Sequence, residues 1–167
     1  MKNIILIGMP GSGKSTAGVI LARRLGYGFM DTDSVICQKE RKTLQKIIDE
    51  NGLDFFLKLE CEIGRTVVCD RVVIATGGSM VLSEEAMLHL KQLGTVVFID
   101  VPLSVLRNRL GNYKDRGIAM KDGVGLEELF LERKPLYERF SDLTVSYIEN
   151  DSLEETVDEI VNSLNDM

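Results

Sequence analysis

Gly8-Met9-Pro10-Gly11-Ser12-Gly13-Lys14-Ser15 is the stretch that decides the fold of this chain. It has the form G-x-x-x-x-G-K-[ST], which is that of a phosphate-binding P-loop. An apolar run precedes it at residues 4–7 and a helix-like segment follows at residues 16–25, which is the strand-loop-helix context that the motif requires. Glycines let backbone N–H groups turn toward phosphate oxygens, and the next helix adds its positive dipole end.

The loop predicts a nucleotide site, and we therefore expect ATP and Mg²⁺ as cofactors. The ammonium group of Lys14 can reach the β- and γ-phosphates, and the hydroxyl group of Ser15 can ligate Mg²⁺. The residues expected to contact the nucleotide here are Gly11, Ser12, Gly13, Lys14, Ser15 and Thr16.

Apolar runs alternate with amphipathic stretches along the whole chain. Strands are predicted at residues 3–8, 28–31, 72–76, 95–100 and 143–148. Helices are predicted at residues 15–25, 34–50, 54–69, 83–93, 103–110, 126–139 and 153–164. This order predicts an α/β fold, a three-layer α/β/α sandwich with a five-stranded parallel sheet, of the P-loop nucleoside-kinase-like type.

The bulk composition is that of one globular domain spanning residues 1–167, because 167 residues with 44% apolar and 28% charged side chains fit this class. The net charge of −6 argues against a nucleic-acid partner held by phosphate contacts. Cys37, Cys61 and Cys69 lack metal-type spacing, so we expect free thiols in the cytoplasm. We expect no membrane partner, since no segment approaches the ~20 apolar residues of a membrane span. We also expect the protein to be a monomer.

Polar residues follow two of the predicted strands. Asp31-Thr32-Asp33 comes after the second strand, and two carboxylates two residues apart on extended backbone point the same way. Beside Mg-ATP, one can hold metal-bound water and the other can accept a hydroxyl proton; alternatively, Thr32 or Asp33 caps the next helix. Thr76-Gly77-Gly78-Ser79 ends the central strand, and its glycines let backbone N–H groups approach a ligand in the same crevice.

Three arginines complete the set of candidates, each with the alternative of a solvated surface charge. Arg116 lies in the glycine-rich residues 111–125, a predicted lid, from which it could swing onto the γ-phosphate. Arg133 begins Arg133-Lys134-Pro135-Leu136-Tyr137, is predicted near the end of a helix, and suits bidentate binding of a carboxylate. The third is Arg109.

Together these motifs resemble those of the shikimate kinases over nearly the whole chain. The resemblance implies transfer of a phosphoryl group from ATP to a hydroxyl of a small metabolite, with shikimate to shikimate 3-phosphate as first choice. It implies an acceptor-binding region at residues 32–70 and a lid at residues 111–125. The catalytic residues that it implies are Lys14, Asp33 as the base, and Arg116.

The resemblance also implies binding roles. Asp31 would lie in the outer shell of the metal beside Ser15, Arg109 would stack on adenine, and Asn150 lies near the adenine-contacting turn. The acceptor-binding residues would be Asp33, Gly77, Gly78, Ser79 and Arg133.

Four positions depart from the family pattern. Leu57, in Phe56-Leu57-Lys58-Leu59-Glu60, stands where a second carboxylate-binding arginine is usual, and the loss of that contact would cost roughly 2–5 kcal/mol. Lys58, about 100° around the helix, or Arg65 could compensate. Ser79 replaces a third glycine, and Gly117-Ile118 replaces Pro-Leu after the lid arginine.

These departures keep alternatives open for the acceptor and for the activity. The chain could phosphorylate another small hydroxylated metabolite, with Leu57 shaping an apolar wall. It could also bind nucleotide without turnover, although Asp33 and Arg116 argue against that. A nucleotide-monophosphate kinase would need several arginines after Asp33, where Arg41 and Arg65 form no cluster.

Overall fold

The structure is a computed structural model that describes residues 2–111, 117–147 and 152–166. Its centre is one five-stranded sheet in the order β2-β3-β1-β4-β5, in which every pairing is parallel. The strands are β1 Asn3–Ile7, β2 Gly28–Asp31, β3 Val72–Ala75, β4 Gly94–Asp100 and β5 Leu143–Ser146. The predicted parallel sheet is therefore confirmed.

β1 is the middle strand, and all of its residues are buried. Ile5 pairs with Ile74 on β3 and with Val96 on β4. A strand covered by helices on both faces takes a continuous apolar run, as residues 4–7 predict. The loop that follows β1 consequently opens at the carboxyl edge of the sheet, between two neighbouring strands.

Helices cover both faces of the sheet and complete the predicted three-layer sandwich. α1 and α8 pack together on one face, whereas α5 and α7 contact β4 from the other. The helices are α1 Lys14–Leu25, α2 Thr32–Glu40, α3 Leu44–Asn51, α4 Leu53–Thr66, α5 Glu84–Leu93, α6 Leu103–Leu110, α7 Leu126–Phe140 and α8 Leu153–Asn165, with one 3₁₀ turn at Met80–Leu82.

The helix predicted at residues 34–50 was wrong, because the chain forms two helices there. Arg41 adopts left-handed backbone with φ 53° and ends α2. Thr43 then caps α3, its hydroxyl accepting the Lys46 N–H at 3.3 Å. The break turns α3 away from α2, so that α2, α3 and α4 enclose a second, smaller apolar cluster beside the sheet.

The extended backbone predicted for residues 31–33 is found only at Asp31, the last residue of β2. The Asp31 carboxylate accepts the Ser34 N–H at 3.1 Å, so α2 begins at Thr32 and the capping residue is Asp31. Asp33 therefore lies in the first helical turn. Arg133 lies in the middle of α7, not near its end.

Within the described ranges, no helix has the length and apolar character needed to cross a membrane.

Candidate active site

The loop after β1 wraps around a space at the start of α1. Gly11 and Gly13 have φ values of 80° and 89°, a region that glycine enters at little cost. α1 then begins at Lys14, and the Ala17 N–H donates to the Gly13 carbonyl at 2.9 Å. The first N–H groups of α1 thus face the loop, where they favour an anion.

Lys14 is 7% exposed, and its side chain folds back over the loop. Its Nζ donates to the carbonyls of Gly8 and Met9, each at 2.8 Å, and to Ser12 Oγ at 3.3 Å. Burial lowers the pKa of Lys14 to about 8, although the nearby carboxylates of Asp33 and Asp31 oppose this shift. The ammonium form still predominates at pH 7, so the loop keeps a positive charge.

Ser15 and Asp31 meet at the mouth of the loop. The Ser15 hydroxyl donates to Asp31 Oδ2 at 2.5 Å. Hydroxyl and carboxylate oxygens are the hard donors that Mg²⁺ takes, usually with phosphate oxygens and water completing its shell. The donor chemistry of this pair therefore fits Mg²⁺.

A cavity of about 290 Å³ extends from the loop toward α7. Three residues that line it, Asp33, Glu60 and Arg133, each have one buried polar atom without a hydrogen-bond partner among the described residues: Asp33 Oδ1, Glu60 Oε1 and Arg133 Nε. Buried polar atoms are nearly always paired in folded proteins. Three such atoms in one cavity indicate a site for a polar ligand that carries both acceptors and donors.

Asp33 and Glu60 converge at Gly77. A Cβ on Gly77 would overlap Asp33 Oδ1 and Glu60 Oε1, so a glycine is required there by close approach. Burial raises the pKa of Asp33 to about 6, and Asp31 adds to this shift. Burial likewise raises the pKa of Glu60 to about 7, against a hydrogen bond from Ser79.

Glu60 is a charged residue of the cavity that none of the sequence motifs indicated. It is 1% exposed and lies on the buried face of α4 with Phe56 and Ile63. A charged residue at the i, i+4 and i+7 spacing of an otherwise apolar helix face is the signal that points to it.

The residues after β3 form one wall of the cavity. The Gly77 N–H donates to Thr32 Oγ1 at 2.9 Å, which ties this turn to the start of α2. Gly78 packs against Pro10 of the loop, and its carbonyl accepts the Tyr137 hydroxyl at 2.6 Å. The Ser79 hydroxyl donates to Glu60 Oε2.

Arg133 closes the far end of the cavity and is 1% exposed. One guanidinium nitrogen, Nη2, donates to the carbonyl of Ala119. Its Nε is left free to donate, as described above. A buried guanidinium with an open donor suits a carboxylate of the ligand.

The remaining predicted residues lie elsewhere or outside the described part of the chain. Arg109 donates to the Gly11 carbonyl at 3.2 Å and lies 4.8 Å above the centre of the Tyr147 ring, on the nucleotide side of the loop. Arg116 and Asn150 lie outside the described residues, so their predicted roles stay predictions.

The two residues proposed to compensate for Leu57 do not line the cavity. Lys58 is exposed. Arg65 pairs with Glu85 at 3.3 Å on the surface. Leu57 itself lines a neighbouring cavity of about 470 Å³, to which Ala119 and Arg133 also contribute.

Comparisons with known proteins agree with this geometry. A family model described as "Shikimate kinase" matches residues 10–165. A shikimate kinase of a Nostoc species is 37% identical over 97% of this chain and 88% of its own length. Among solved structures, the shikimate kinase of Acinetobacter baumannii in complex with shikimate has a TM-score of 0.91 and 27% identity, covering 99% of this chain and 94% of that one. The shikimate kinase of Aquifex aeolicus has a TM-score of 0.83 and 36% identity, covering 98% and 96%.

Proposed function

This chain belongs to the shikimate kinase family of small-molecule kinases, and we propose that it transfers the γ-phosphoryl group of ATP to a hydroxyl group of shikimate. The observation that carries the proposal is the trio of unpaired buried atoms, Asp33 Oδ1, Glu60 Oε1 and Arg133 Nε, in one cavity with the phosphate loop. The relative solved with shikimate has the same fold over nearly its whole length.

The phosphate loop supplies the nucleotide half of the reaction. We expect the N–H groups of Gly11 and Gly13 to face the phosphates, and the Ser12 N–H to join them by leaving the Met9 carbonyl, to which it donates at 3.1 Å. Lys14 would exchange its carbonyl contacts for phosphate oxygens. Ser15 would hold Mg²⁺ directly and Asp31 would hold it through water; when bound, the metal neutralises charge on the phosphates. Catalysis of this kind depends mainly on positioning and on electrostatic stabilisation.

Asp33 acts on the acceptor, as the base in the reaction. Its unpaired Oδ1 accepts the proton of the attacking hydroxyl, and a pKa of about 6 suits a base that works near neutral pH. Arg133 Nε donates to the acceptor's carboxylate, which orients the ring. Gly78 and Ser79 line the wall behind it, and Gly77 packs against Asp33 and Glu60. Arg116 and Arg109 are proposed to contact the phosphates and adenine, with Asn150 near the base.

Several other expectations remain proposals of the same kind. We propose one kinase domain that acts as a monomer in the cytoplasm, with its acceptor-binding region at residues 32–70 and its lid at residues 111–125. ATP and shikimate are the proposed ligands, and no nucleic acid or membrane partner is expected. The three cysteines, Cys37, Cys61 and Cys69, are thiols in the structure.

The test is ADP release by purified protein with Mg-ATP, measured with and without millimolar shikimate. Shikimate should accelerate ADP release well above the rate with Mg-ATP alone. If shikimate has no effect, the same assay with other hydroxylated acids and polyols separates a kinase of different acceptor specificity from a protein that binds nucleotide without turnover.

A further inference from the structure

The carboxyl group of Glu60 is held by a single hydrogen bond in the described part of the chain. The Ser79 hydroxyl donates to Oε2, whereas Oε1 has no partner. Both residues are buried, Glu60 at 1% and Ser79 at 5% exposure. A buried carboxyl with one donor has little else to define its orientation.

The position of the Glu60 carboxyl group matters because the proposed base, Asp33, lies next to it. Glu60 Oε1 and Asp33 Oδ1 crowd the same point beside Gly77, and both residues line the cavity. A rotation of the Glu60 side chain would therefore move an acceptor oxygen away from the base or into the space of the ligand.

Among the described residues, α4 supplies no second donor to Glu60. Position 57 lies one turn before Glu60, and residues three apart on a helix are neighbours. Leucine there offers no N–H, and Lys58 and Arg65 point elsewhere, as described above. The hydroxyl at position 79, where the family resemblance leads us to expect glycine, supplies the donor from the opposite wall.

We propose that Ser79 is a positioning residue, which fixes Glu60 so that its free oxygen stands beside Asp33 and completes the wall that binds the acceptor. The inference rests on the proposed function, since the acceptor is taken to be shikimate. It differs from a simple narrowing of the pocket by Ser79, because Ser79 acts here through Glu60.

The test is a double-mutant cycle on the Michaelis constants. Ser79→Ala should raise the KM for shikimate about tenfold, equivalent to ~1.4 kcal/mol, with kcat and the KM for ATP close to wild type. Ser79→Thr keeps the hydroxyl and should recover most of the rise in KM that Ser79→Ala causes. In a Glu60→Leu background, which removes the acceptor oxygens, Ser79→Ala should change the KM for shikimate by less than about twofold.

Three further proteins sharpen the cycle: Leu57→Arg, Leu57→Arg with Ser79→Ala, and Ser83→Ala. In a Leu57→Arg background, a guanidinium one turn from Glu60 can replace the Ser79 donor, so Ser79→Ala should lose most of its effect. Ser83→Ala is the matched control, because it removes a partly buried hydroxyl that contacts α4 without lining the cavity. The Ser83 hydroxyl accepts the Ala86 N–H as the cap of α5 and donates to Cys61 Sγ at 3.1 Å. This variant should lower stability without changing the KM for shikimate.

An equal effect of Ser79→Ala in the wild-type and Glu60→Leu backgrounds overturns the proposal, as does an equal rise in the KM for ATP. If wild type shows no shikimate-dependent ADP release, the proposed function fails instead. Urea unfolding of wild type, Ser79→Ala, Glu60→Leu and the double variant then tests the Ser79–Glu60 interaction by itself. Non-additive changes in the free energy of unfolding support the interaction, and additive changes refute it.

Discussion

Burial governs the chemistry of the charged side chains in the cavity. The same loss of hydration lowers the pKa of Lys14 and raises those of Asp33 and Glu60, because a low-dielectric site disfavours whichever form is charged. Each group is thereby brought nearer to neutral pH. Such shifts toward the working pH, combined with geometry, are typical of catalytic sites.

Asp33→Asn should remove the base while keeping the shape of the cavity. We expect kcat to fall by roughly 10²–10⁴-fold, the usual contribution of general base catalysis, with a small change in the KM for ATP. ADP release with saturating Mg-ATP and shikimate measures this. Asp70→Asn, the same change on the exposed surface, should leave kcat unchanged; full activity of Asp33→Asn would contradict the role of base.

Arg133→Met should remove recognition of a carboxylate. Wild type should prefer shikimate over its methyl ester by roughly 2–5 kcal/mol in kcat/KM, because a buried charge pair is made with the acid alone. The variant should lose most of this preference. Arg65→Met, on the surface, should retain it. A preference that survives Arg133→Met would place the carboxylate elsewhere in the cavity.

Glu60 predicts a pH dependence of stability without ligand. Its pKa is raised from 4.5 in the unfolded chain to about 7 in the fold, so between these values the folded state holds a proton that the unfolded state has released. Stability therefore falls as pH rises through this window, on the order of 1 kcal/mol per pH unit.

Glu60→Gln cannot titrate and should lack that contribution. Urea unfolding of wild type and of this variant at pH 5, 6 and 7 measures the difference. The stability of wild type relative to the variant should decline with pH. A difference that is constant over the range would mean that the carboxyl is not protonated in the fold.

The local sequence pattern predicts the helices and strands of this fold better than it predicts the residues of the site. The loop at residues 8–15 and the strands were predictable, because an apolar run and a glycine-rich turn depend on neighbouring residues. The break at Arg41 was not, since left-handed backbone is rare for arginine. Glu60 was missed because its burial depends on Ser79 and Gly77, which are distant in the chain. The surface positions of Lys58 and Arg65 likewise follow from how α4 packs.

Gly117, within the proposed lid at residues 111–125, packs on α3. Its N–H donates to Gln45 Oε1 at 3.1 Å, and its φ is 64°. A Cβ there would lie 2.7 Å from Leu44 Cβ and 2.8 Å from the Gln45 nitrogen. Proline, the residue usual at this position in the family pattern, has neither that φ nor an N–H.

Gly117→Ala should loosen this contact and open one side of the cavity. We expect a higher KM for shikimate, because Gly117 and Ala119 line the acceptor end. Gly123→Ala is the matched control: Gly123 has a φ of 81° but nothing within 4 Å of its Cβ position. Both variants carry backbone strain. An equal rise in the KM for shikimate in the two variants would therefore rule out the contact with α3 as the cause.

The whole molecule joins two apolar clusters around one cavity. The larger cluster surrounds the sheet and holds the phosphate loop in position. The smaller cluster, built by α2, α3 and α4 with Ala119, sets the acceptor end. A chain with a net charge of −6 thus places Lys14 and Arg133 at the two ends of a site for two anions, since local charge can oppose the net charge.

The most direct measurement is ³¹P NMR of a reaction containing the protein, Mg-ATP and shikimate. We predict equal amounts of ADP and a new phosphate monoester, identified by mass spectrometry as shikimate 3-phosphate. Unchanged ATP, or ADP formed with free inorganic phosphate alone, would contradict a phosphoryl transfer between the two ends of this cavity.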